Sequence, residues 1–431
     1  MHRTSDHIPP ERSWGRSPYS LLLAIGFVSL SVLSGTAVRA QDGQTWVGSW
    51  MASPQPLWDG DFPLPTNVPF NLWKQTIRMV TRVSLGGHQV RVTVSNEYGS
   101  HPLVIGAAGI ALAAGEAKTV PGSGRPLTFG GQPTVTIPPG AKVVSDPANL
   151  DIAALGGVAV SLYLPEQTPV STFHWEGRQA AYIGSGNLVA ADNIPATATL
   201  DSRVFLSGIL VNAKDARTVV TLGDSITDGA GSTPDANRRW PDFLAERLVG
   251  QNVAVLNAGI SGAQVLRDKM GVNALARFER DVLSQPGVKA VIVLLGINDI
   301  GWPESDLAPR ASKVRAEDMI AVYRQLITQA RIHHVRIIGA TLTPFEGSLE
   351  DTPIEHYYSA EKDKIRHAVN AWIRTSGEFD AIVDFDAVTR DPEHPERFLG
   401  KFDSGDHLHP GDEGYRAMAD AVDLQALLGS P

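Results

Sequence analysis

The chain has 431 residues, 43% of them hydrophobic and 19% charged, and a formal net charge of −9. At roughly 100–200 residues per domain, this length predicts about two domains. The chain has no cysteine, which excludes disulfides, thiolate metal sites, a thiol nucleophile and a lipid anchor carried on cysteine. The negative charge and the lack of long Lys/Arg clusters argue against nucleic acid as a partner.

The first 40 residues have the pattern of an export signal. Three arginines precede an apolar run from Leu21 to about Val38, and small residues lead up to Ala40. We expect cleavage after Ala40, so that the mature chain begins at Gln41 and is secreted or periplasmic in a bacterium. The alternative is an uncleaved anchor, because the run approaches the ~20 residues that span a bilayer. Serine and glycine dilute the run, so we expect no stable membrane anchor.

Residues 41–212 show the alternation of half-buried strands and no good helical pattern. One alternating run reaches from Ile77 to Leu85, Gly86-Gly87 follows it, and a second run covers 90–94. The glycine pair predicts a hairpin between the two strands. Many short strands with frequent turn residues are typical of a β-sandwich. We therefore predict an all-β, sandwich-like N-terminal domain.

From residue 213 to residue 431, short apolar strands alternate with helical patterns. The predicted strands cover residues 219–222, 253–256, 290–295, 335–341 and 381–383. Helices are predicted from near Pro241, in a region that ends at about Leu283, over 319–330 and 365–373, and from about Glu413 with Asp412 as N-cap. This alternation predicts an α/β domain with a mainly parallel sheet and helices on both faces.

A serine follows the first of these strands. Val219–Leu222 runs into Gly223-Asp224-Ser225, and open α/β sheets place reactive groups at the carboxyl ends of their strands. A serine hydroxyl is a weak nucleophile unless a base and donors for an oxyanion lie nearby. Without them, Ser225 is better explained as the cap of the next helix.

A carboxylate and an imidazole follow near the carboxyl terminus, just before the last predicted helix. Asp406 and His409 complete the chain order Ser, Asp, His, in which the carboxylate orients the imidazole and the imidazole takes the serine proton. His407 competes with His409 as the base, and the Asp-x-x-His-Pro spacing favours His409. The alternative for Asp406 is a turn cap, which leaves His409 as the base of a dyad.

Donors for the oxyanion are expected at the same edge of the sheet. The backbone amides of Ser225 and Gly259 and the side-chain amide of Asn298 are the candidates, since Gly259 and Asn298 follow the second and third strands. As alternatives, Gly259 serves only a tight turn, and Asn298 bonds its own backbone in a turn. Asp299 is expected to be structural. Trp302 is a candidate wall for an acyl or sugar group.

Together these blocks resemble the four blocks of the SGNH/GDSL hydrolase family. They read Gly223-Asp224-Ser225, Asn257-Ala258-Gly259, Gly296-Ile297-Asn298-Asp299 and Asp406-His407-Leu408-His409-Pro410. The resemblance implies a flavodoxin-like three-layer domain and a serine hydrolase of carboxylic esters that needs no metal or cofactor. Thr45–Trp50 and the strand-rich first part resemble, more loosely, a two-domain branch that includes xylanase-associated arylesterases.

The resemblance thus implies an exported serine esterase for small-molecule or polysaccharide esters. The favoured substrates are short-chain acyl esters, such as acetyl esters of carbohydrates, or small aryl esters. One alternative is a lipolytic acylhydrolase that acts on lysophospholipids or thioesters. The other is a carbohydrate-binding protein with a vestigial hydrolase, for which Trp46, Trp50, Trp58 and Trp73 would form a sugar platform, although core packing is favoured for them. The oligomeric state stays open.

Overall fold

The computed structural model describes residues 44–58 and 60–429. The predicted export signal and its cleavage point at Ala40 lie outside the described residues. Among the helices of the described part, none is long and apolar enough to cross a membrane.

The first part of the chain consists of short strands. They are β1 (Gln44–Met51), β2 (Gln55–Pro56), β3 (Asn71–Leu72), β4 (Gln75–Arg82), β5 (Gly87–Ser95), β6 (Leu103–Ile105), β7 (Ala107–Leu112), β8 (Arg125–Pro126), β9 (Val135–Ile137), β10 (Lys142–Val144), β11 (Ala148–Ile152), β12 (Gly157–Leu164), β13 (Thr168–Pro169), β14 (Thr172–His174), β15 (Ala181–Ser185), β16 (Ala198–Leu200), β17 (Arg203–Val204) and β18 (Leu206–Lys214). Apart from Asp59, residues 44–214 are all described and form no helix, so the prediction of an all-β region is confirmed.

Two antiparallel sheets dominate this all-β region. A 5-stranded sheet has the order β1-β18-β5-β10 with β11 beside β5, and a 6-stranded sheet has the order β16-β15-β4-β12-β7-β8. Side chains from both sheets share one hydrophobic core, for example Val92 of β5, Ile77 of β4 and Val160 of β12. The alternation seen in the sequence arises because every second residue of these strands faces that core.

The predicted hairpin between β4 and β5 is wrong. β4 pairs with β12 and β15, whereas β5 pairs with β18, so Gly86-Gly87 carries the chain from one sheet to the other. Neither glycine has the positive φ that the first position of a two-residue hairpin turn requires. A Cβ on Gly86 would lie 2.3 Å from the Ile152 carbonyl oxygen, so close backbone approach explains this glycine. Alternation identifies a half-buried strand but does not identify its partner.

The second part is an α/β layer structure. Its strands β19 (Arg217–Gly223), β20 (Val253–Gly259), β21 (Val288–Leu294), β22 (Arg336–Ala340) and β23 (Ala381–Val383) are all parallel, in the order β20-β19-β21-β22-β23. Its helices are α1 (Ser225–Asp228), α2 (Trp240–Arg247), α3 (Ala274–Phe278), α4 (Ile297–Gly301), α5 (Ala316–Ile332), α6 (Ala360–Thr375), α7 (Phe385–Thr389), α8 (Asp412–Ala421) and α9 (Leu424–Leu428), with a π-helical turn at Glu279–Leu283 and a 3₁₀ turn at Gly400–Phe402. The predicted α/β class is confirmed.

The start of α8 differs from the prediction by one residue. Gly411, with an extended backbone, is the N-cap, and Asp412 is the first helical residue. The Asp412 carboxylate accepts hydrogen bonds from the Thr233 backbone amide and hydroxyl, each at 2.8 Å. Asp412 therefore ties the helix to a loop of the sheet instead of capping the helix.

The all-β region covers the edge strand β20 of the parallel sheet. The Ser84 hydroxyl accepts the Val255 backbone N–H at 3.0 Å and donates to the Ser49 carbonyl at 2.8 Å. Val47 of β1 and Ala254 of β20 belong to one small apolar cluster. An uncovered strand edge is a template for pairing with other chains. The all-β region therefore covers this edge and satisfies its Val255 amide, while the predicted domain boundary at residues 212 and 213 stays a prediction.

Replacing Ser84 by alanine tests this edge contact. Ser84→Ala removes the acceptor of the Val255 amide, and we expect a loss of about 1–3 kcal/mol in the free energy of unfolding. Urea denaturation should show a lower midpoint with an unchanged slope. Ser207→Ala is the control, because its hydroxyl makes a long 3.4 Å contact to the Thr93 carbonyl. An unchanged midpoint for Ser84→Ala would show that the contact does not stabilise the edge.

Candidate active site

Ser225 begins α1 directly after β19, with its hydroxyl free of any capping role. The N-cap residue is Asp224, whose Oδ1 accepts the Ile226 amide at 3.1 Å. A Cβ on Gly223 would lie 2.0 Å from Thr227 Oγ1, so the turn from strand to helix requires glycine there. Ser225 Oγ lies 2.8 Å from His409 Nε2. The structure therefore brings this serine to an imidazole.

His409 is held by Asp406 on its other side. His409 Nδ1 lies 2.6 Å from Asp406 Oδ2, and the His409 backbone amide donates to Asp406 Oδ1 at 2.8 Å. The Leu408 amide donates to the same oxygen at 3.0 Å. Asp406 thus caps a turn with one oxygen and contacts the imidazole with the other. The turn cap and the orienting contact, which are alternatives in the sequence, occur together.

His407 is engaged elsewhere. Its Nδ1 lies 2.5 Å from Asp403 Oδ2, and its φ of +60° lies in the left-handed region. This backbone conformation turns the chain between His407 and His409, so the two side chains have different partners. The structure brings His409, and not His407, to Ser225.

The His409 imidazole is more easily protonated than that of free histidine. Burial disfavours the imidazolium of His409, but the hydrogen bond and charge of Asp406 outweigh it and raise the His409 pKa. Burial alone would raise the pKa of Asp406, yet the bond and charge of His409 and the two backbone amides hold it well below its ordinary value. Asp406 therefore stays ionised beside the imidazole.

The side-chain amide of Asn298, in α4, is fixed by three hydrogen bonds. Nδ2 donates to the Ala263 carbonyl at 3.0 Å, and Oδ1 accepts from Trp302 Nε1 and from the Tyr357 hydroxyl, both at 2.9 Å. Two donors on one side of the amide identify that atom as the oxygen. One Nδ2 hydrogen is left for another acceptor. Trp302 is 2% exposed and positions Asn298, so it is not an open wall of the site.

The Gly259 amide is already engaged. It donates to the side-chain oxygen of Asn257 at 2.8 Å, so in this arrangement it is not available to an oxyanion. A Cβ on Gly259 would lie 2.3 Å from the Asp228 amide nitrogen. Close packing of β20 against α1 therefore explains this glycine, and the predicted oxyanion role is not supported by the observed bond.

Gly262, three residues later, is a residue that the sequence reasoning missed. It has a φ of +75° in the turn Ile260–Ala263, which the Ala263 amide closes on the Ile260 carbonyl. Within residues 44–58 and 60–429, neither the Gly262 amide nor the Ser225 amide has an acceptor. The next residue, Ala263, holds Asn298. The repeated glycine in Asn257-Ala258-Gly259-Ile260-Ser261-Gly262 was the available indication.

A second histidine–aspartate pair lies at the other end of α1. His174 Nε2 is 2.9 Å from Asp228 Oδ1, and His174 Nδ1 is 3.1 Å from the Ser53 carbonyl oxygen. Since both ring nitrogens are engaged, neither can take a proton from Ser225. The pair is therefore not a second base.

Asp299 is structural, as expected. Its two carboxylate oxygens accept the backbone amides of Val265 and Leu266, at 2.8 and 2.9 Å. These bonds hold the segment that follows the turn Ile260–Ala263 against α4.

The tryptophans that could form a sugar platform lie in different environments. Trp50 is buried in the core of the all-β region, and Trp58 contacts Phe62, Phe173 and Trp175 in an aromatic cluster. Trp73 is 58% exposed, with the Lys74 ammonium over its ring. The predicted core packing therefore applies to Trp50 and Trp58 and not to Trp73.

One group of possible metal ligands occurs in the described part of the chain. Asp363, His367 and Glu396 have ligand atoms within 4.8 Å of one another. Asp363 already pairs with Arg366 at 2.6 Å. This group shares no residue with the Ser225 site.

Residues 219–422 match the family described as "GDSL-like Lipase/Acylhydrolase". This part of the chain is a GDSL-like lipase/acylhydrolase domain. The GDSL-like domain is thus a hydrolase of ester bonds, and it contains Ser225, Asn298, Asp406 and His409. The comparison with curated proteins gave no match.

Solved structures similar to this chain include three esterases or hydrolases. An aryl esterase of M. smegmatis is 17% identical, with 48% of this chain and 96% of that chain covered and a TM-score of 0.37. An acetyl xylan esterase is 20% identical over 47% of this chain and 96% of that chain, with a TM-score of 0.35. An α/β hydrolase from the metagenome of Lake Arreo, Spain, is 22% identical over 50% of this chain and 98% of that chain, with a TM-score of 0.36.

The raised pKa of His409 predicts the acid limb of ester hydrolysis. Only the neutral imidazole accepts a proton, so kcat/KM for p-nitrophenyl acetate should fall as the pH drops through a value above the ordinary 6.5. Asp406→Asn removes the charge that favours the imidazolium, so the limb should move to lower pH while kcat falls. His407→Gln is the matched control and should leave the limb in place. An acid limb that Asp406→Asn does not move would contradict the coupling.

Proposed function

We propose that the chain is an exported serine esterase that hydrolyses short-chain acyl esters, such as acetyl esters of carbohydrates, or small aryl esters. The observation that carries the serine mechanism is the contact of Ser225 Oγ with His409 Nε2 at 2.8 Å, continued by Asp406 at 2.6 Å from Nδ1. A hydroxyl, a base and an orienting carboxylate in this sequence are what acyl transfer to serine requires.

In this mechanism Ser225 Oγ attacks the ester carbonyl carbon, and its proton passes to His409 Nε2. The carbonyl oxygen becomes an oxyanion, and the new imidazolium is stabilised by Asp406. When the tetrahedral intermediate collapses, the alcohol leaves with the proton from His409 and the acyl group stays on Ser225. Water then attacks the acyl-enzyme, gives a proton to His409, and the acid leaves as Ser225 regains that proton.

For the oxyanion we propose three donors, namely the Ser225 amide, the free Nδ2 hydrogen of Asn298 and the Gly262 amide. The first and last lack an acceptor within the described residues, and Asn298 is locked by Ala263 and Trp302. Preorganised donors stabilise the charge that develops in the transition state. Each such donor raises turnover by about 10²–10³-fold. Gly262 replaces Gly259 in this proposal because the Gly259 amide is bonded to Asn257.

We also propose that the hydrolase part has the flavodoxin-like arrangement. Numbered within that part, the strand order β20-β19-β21-β22-β23 is 2-1-3-4-5, which is the order of flavodoxin-like sheets. Ser225 follows β19 and Asn298 follows β21, next to the point where the strand order reverses. Ligands of open α/β sheets bind at such points.

The preference for short acyl groups rests on the loose resemblance of the first part to xylanase-associated arylesterases. Export fits it, because polymeric esters lie outside the cell. The space beside Asn298 is filled by Trp302 and Tyr357, which are both buried.

Removal of the hydroxyl tests the mechanism. Ser225→Ala should lose at least about 10⁴-fold in kcat for p-nitrophenyl acetate, because no nucleophile is left. Its circular dichroism and thermal midpoint should match the wild type. Ser232→Ala, another buried serine whose hydroxyl donates to the Gly229 carbonyl, is the matched control and should keep its activity. Activity in Ser225→Ala would contradict a serine mechanism.

A chain-length series tests the substrate class. We expect kcat/KM for p-nitrophenyl esters to be highest for acetate and to fall by about tenfold or more by octanoate, as for an esterase of short acyl groups. A maximum at long chains would replace this proposal by a lipolytic acylhydrolase. No hydrolysis of any ester in the series would favour a carbohydrate-binding protein.

A further inference from the structure

The all-β region reaches the site with a histidine and a glutamate. His174 ends β14, Glu176 follows two residues later, and both contact the hydrolase part of the chain. Their partners are Asp228, the last residue of α1, and Ser261, in the turn Ile260–Ala263. We call His174, Asp228, Ser261 and Glu176 the clamp.

Asp228 joins the two elements that carry the proposed oxyanion donors. Its Oδ2 accepts the Ser261 backbone amide at 2.9 Å and lies 3.1 Å from Ser261 Oγ. Asp228 belongs to the same short helix as Ser225, and Ser261 precedes Gly262 in the turn. The carboxylate therefore fixes the distance between the nucleophile helix and the turn.

His174 supplies the charge that this carboxylate needs. Asp228 is 1% exposed, and a buried carboxylate without a paired cation is strongly destabilised. The Ser53 carbonyl and the Asp228 carboxylate only accept hydrogen bonds, so His174 must carry hydrogen on both nitrogens. Burial disfavours this cation, but the charge and hydrogen bond of Asp228 outweigh it and raise the His174 pKa.

Other charged side chains also act on the members of the clamp. The positive charge of Arg203 disfavours the His174 cation. Glu176 interacts electrostatically with Asp228 and His409, and Arg178 lies 3.3 Å from Glu176. Arg239 and Arg277 act on Asp228 from further away. His174 is thus the cation in direct contact with Asp228.

Ser261 also connects Glu176 to the clamp. Its Oγ lies 2.6 Å from Glu176 Oε2 and 3.1 Å from Asp228 Oδ2. One hydroxyl hydrogen serves one carboxylate, so both contacts are hydrogen bonds when Glu176 carries a proton. Burial and the charge of Asp228 raise the pKa of Glu176, which favours that state.

We propose that His174 is a positioning residue of the esterase: through Asp228 and Ser261 it holds the turn Ile260–Ala263, so that the all-β region completes the oxyanion site. This inference rests on the proposed function. His174 touches no reacting atom. It acts because the same turn carries the Gly262 amide and the Ala263 carbonyl that orients Asn298.

The size of the effect follows from the geometry of the donors. Misplacing catalytic groups by about 1 Å costs on the order of 10² in rate. Loss of His174 leaves Asp228 buried without its cation, and the turn that depends on Asp228 shifts. We therefore expect kcat to fall about 10²-fold, with KM changed less than about threefold, because the oxyanion exists only in the transition state.

The experiment compares His174→Phe and His174→Gln in the full chain with p-nitrophenyl acetate. Phenylalanine removes both hydrogen bonds and the charge, whereas glutamine lacks the charge but keeps an N–H donor for Asp228. We expect His174→Gln to recover at least about tenfold of the kcat that His174→Phe loses. Leu162→Ala, a cavity in the core of the all-β region, is the control for lost stability and should keep its kcat when folded.

A boronic acid separates positioning from general structural damage. Phenylboronic acid adds to Ser225 Oγ, the serine proton passes to His409, and a boronate oxygen occupies the oxyanion site. Its dissociation constant, measured by calorimetry, should rise in His174→Phe in parallel with the loss of kcat, and should not rise in Leu162→Ala. Wild-type kcat in folded His174→Phe, or lost kcat with unchanged boronate affinity, would overturn the proposal.

Ser261→Ala keeps the proposal testable if His174→Phe does not fold. It removes the hydroxyl but keeps the backbone amide, so kcat should fall about tenfold and boronate binding should weaken equally. Unchanged values would overturn the clamp. A wild-type enzyme that hydrolyses no ester would contradict the proposed function instead, and the boronate affinities of the variants would still decide the role of His174.

Discussion

The hydrogen bond between Ser225 and His409 joins residues that are 184 positions apart, and the rest of the site depends on it. The serine is placed by a strand-to-helix turn that only glycine at position 223 permits. The imidazole is placed by Asp406, whose second oxygen binds the turn that carries it. Each partner is therefore fixed by its own segment, and the contact requires the fold to bring the two segments together.

The all-β region contributes to the hydrolase part in two physical ways. Ser84 satisfies a backbone amide of the edge strand β20, where unpaired groups would be open to pairing with other chains. At the carboxyl ends of the strands, His174 neutralises the buried carboxylate of Asp228. The first contact stabilises the fold, and the second connects the fold to the proposed oxyanion site.

Local sequence patterns were sufficient to predict much of the fold and of the site. The strands of the parallel sheet follow from apolar runs, Ser225 and Asn298 from the residues at the ends of two of them, and Asp406 and His409 from their spacing before the last helix. The change from one sheet to the other at Gly86 could not be predicted, because strand pairing depends on distant parts of the sequence. The bond of the Gly259 amide to the Asn257 side chain could not be predicted, because it depends on three-dimensional geometry. His174 gave no indication, since an isolated histidine in a strand-rich region has no motif around it.

The most direct test of the central claim is covalent labelling of the folded chain with a fluorophosphonate, followed by mass spectrometry of its peptides. We predict a single phosphonylated serine at position 225, formed quickly in the wild type and at least about 10³-fold more slowly in His409→Ala, because the imidazole takes the proton. Label on another residue, or an undiminished rate in His409→Ala, would contradict it.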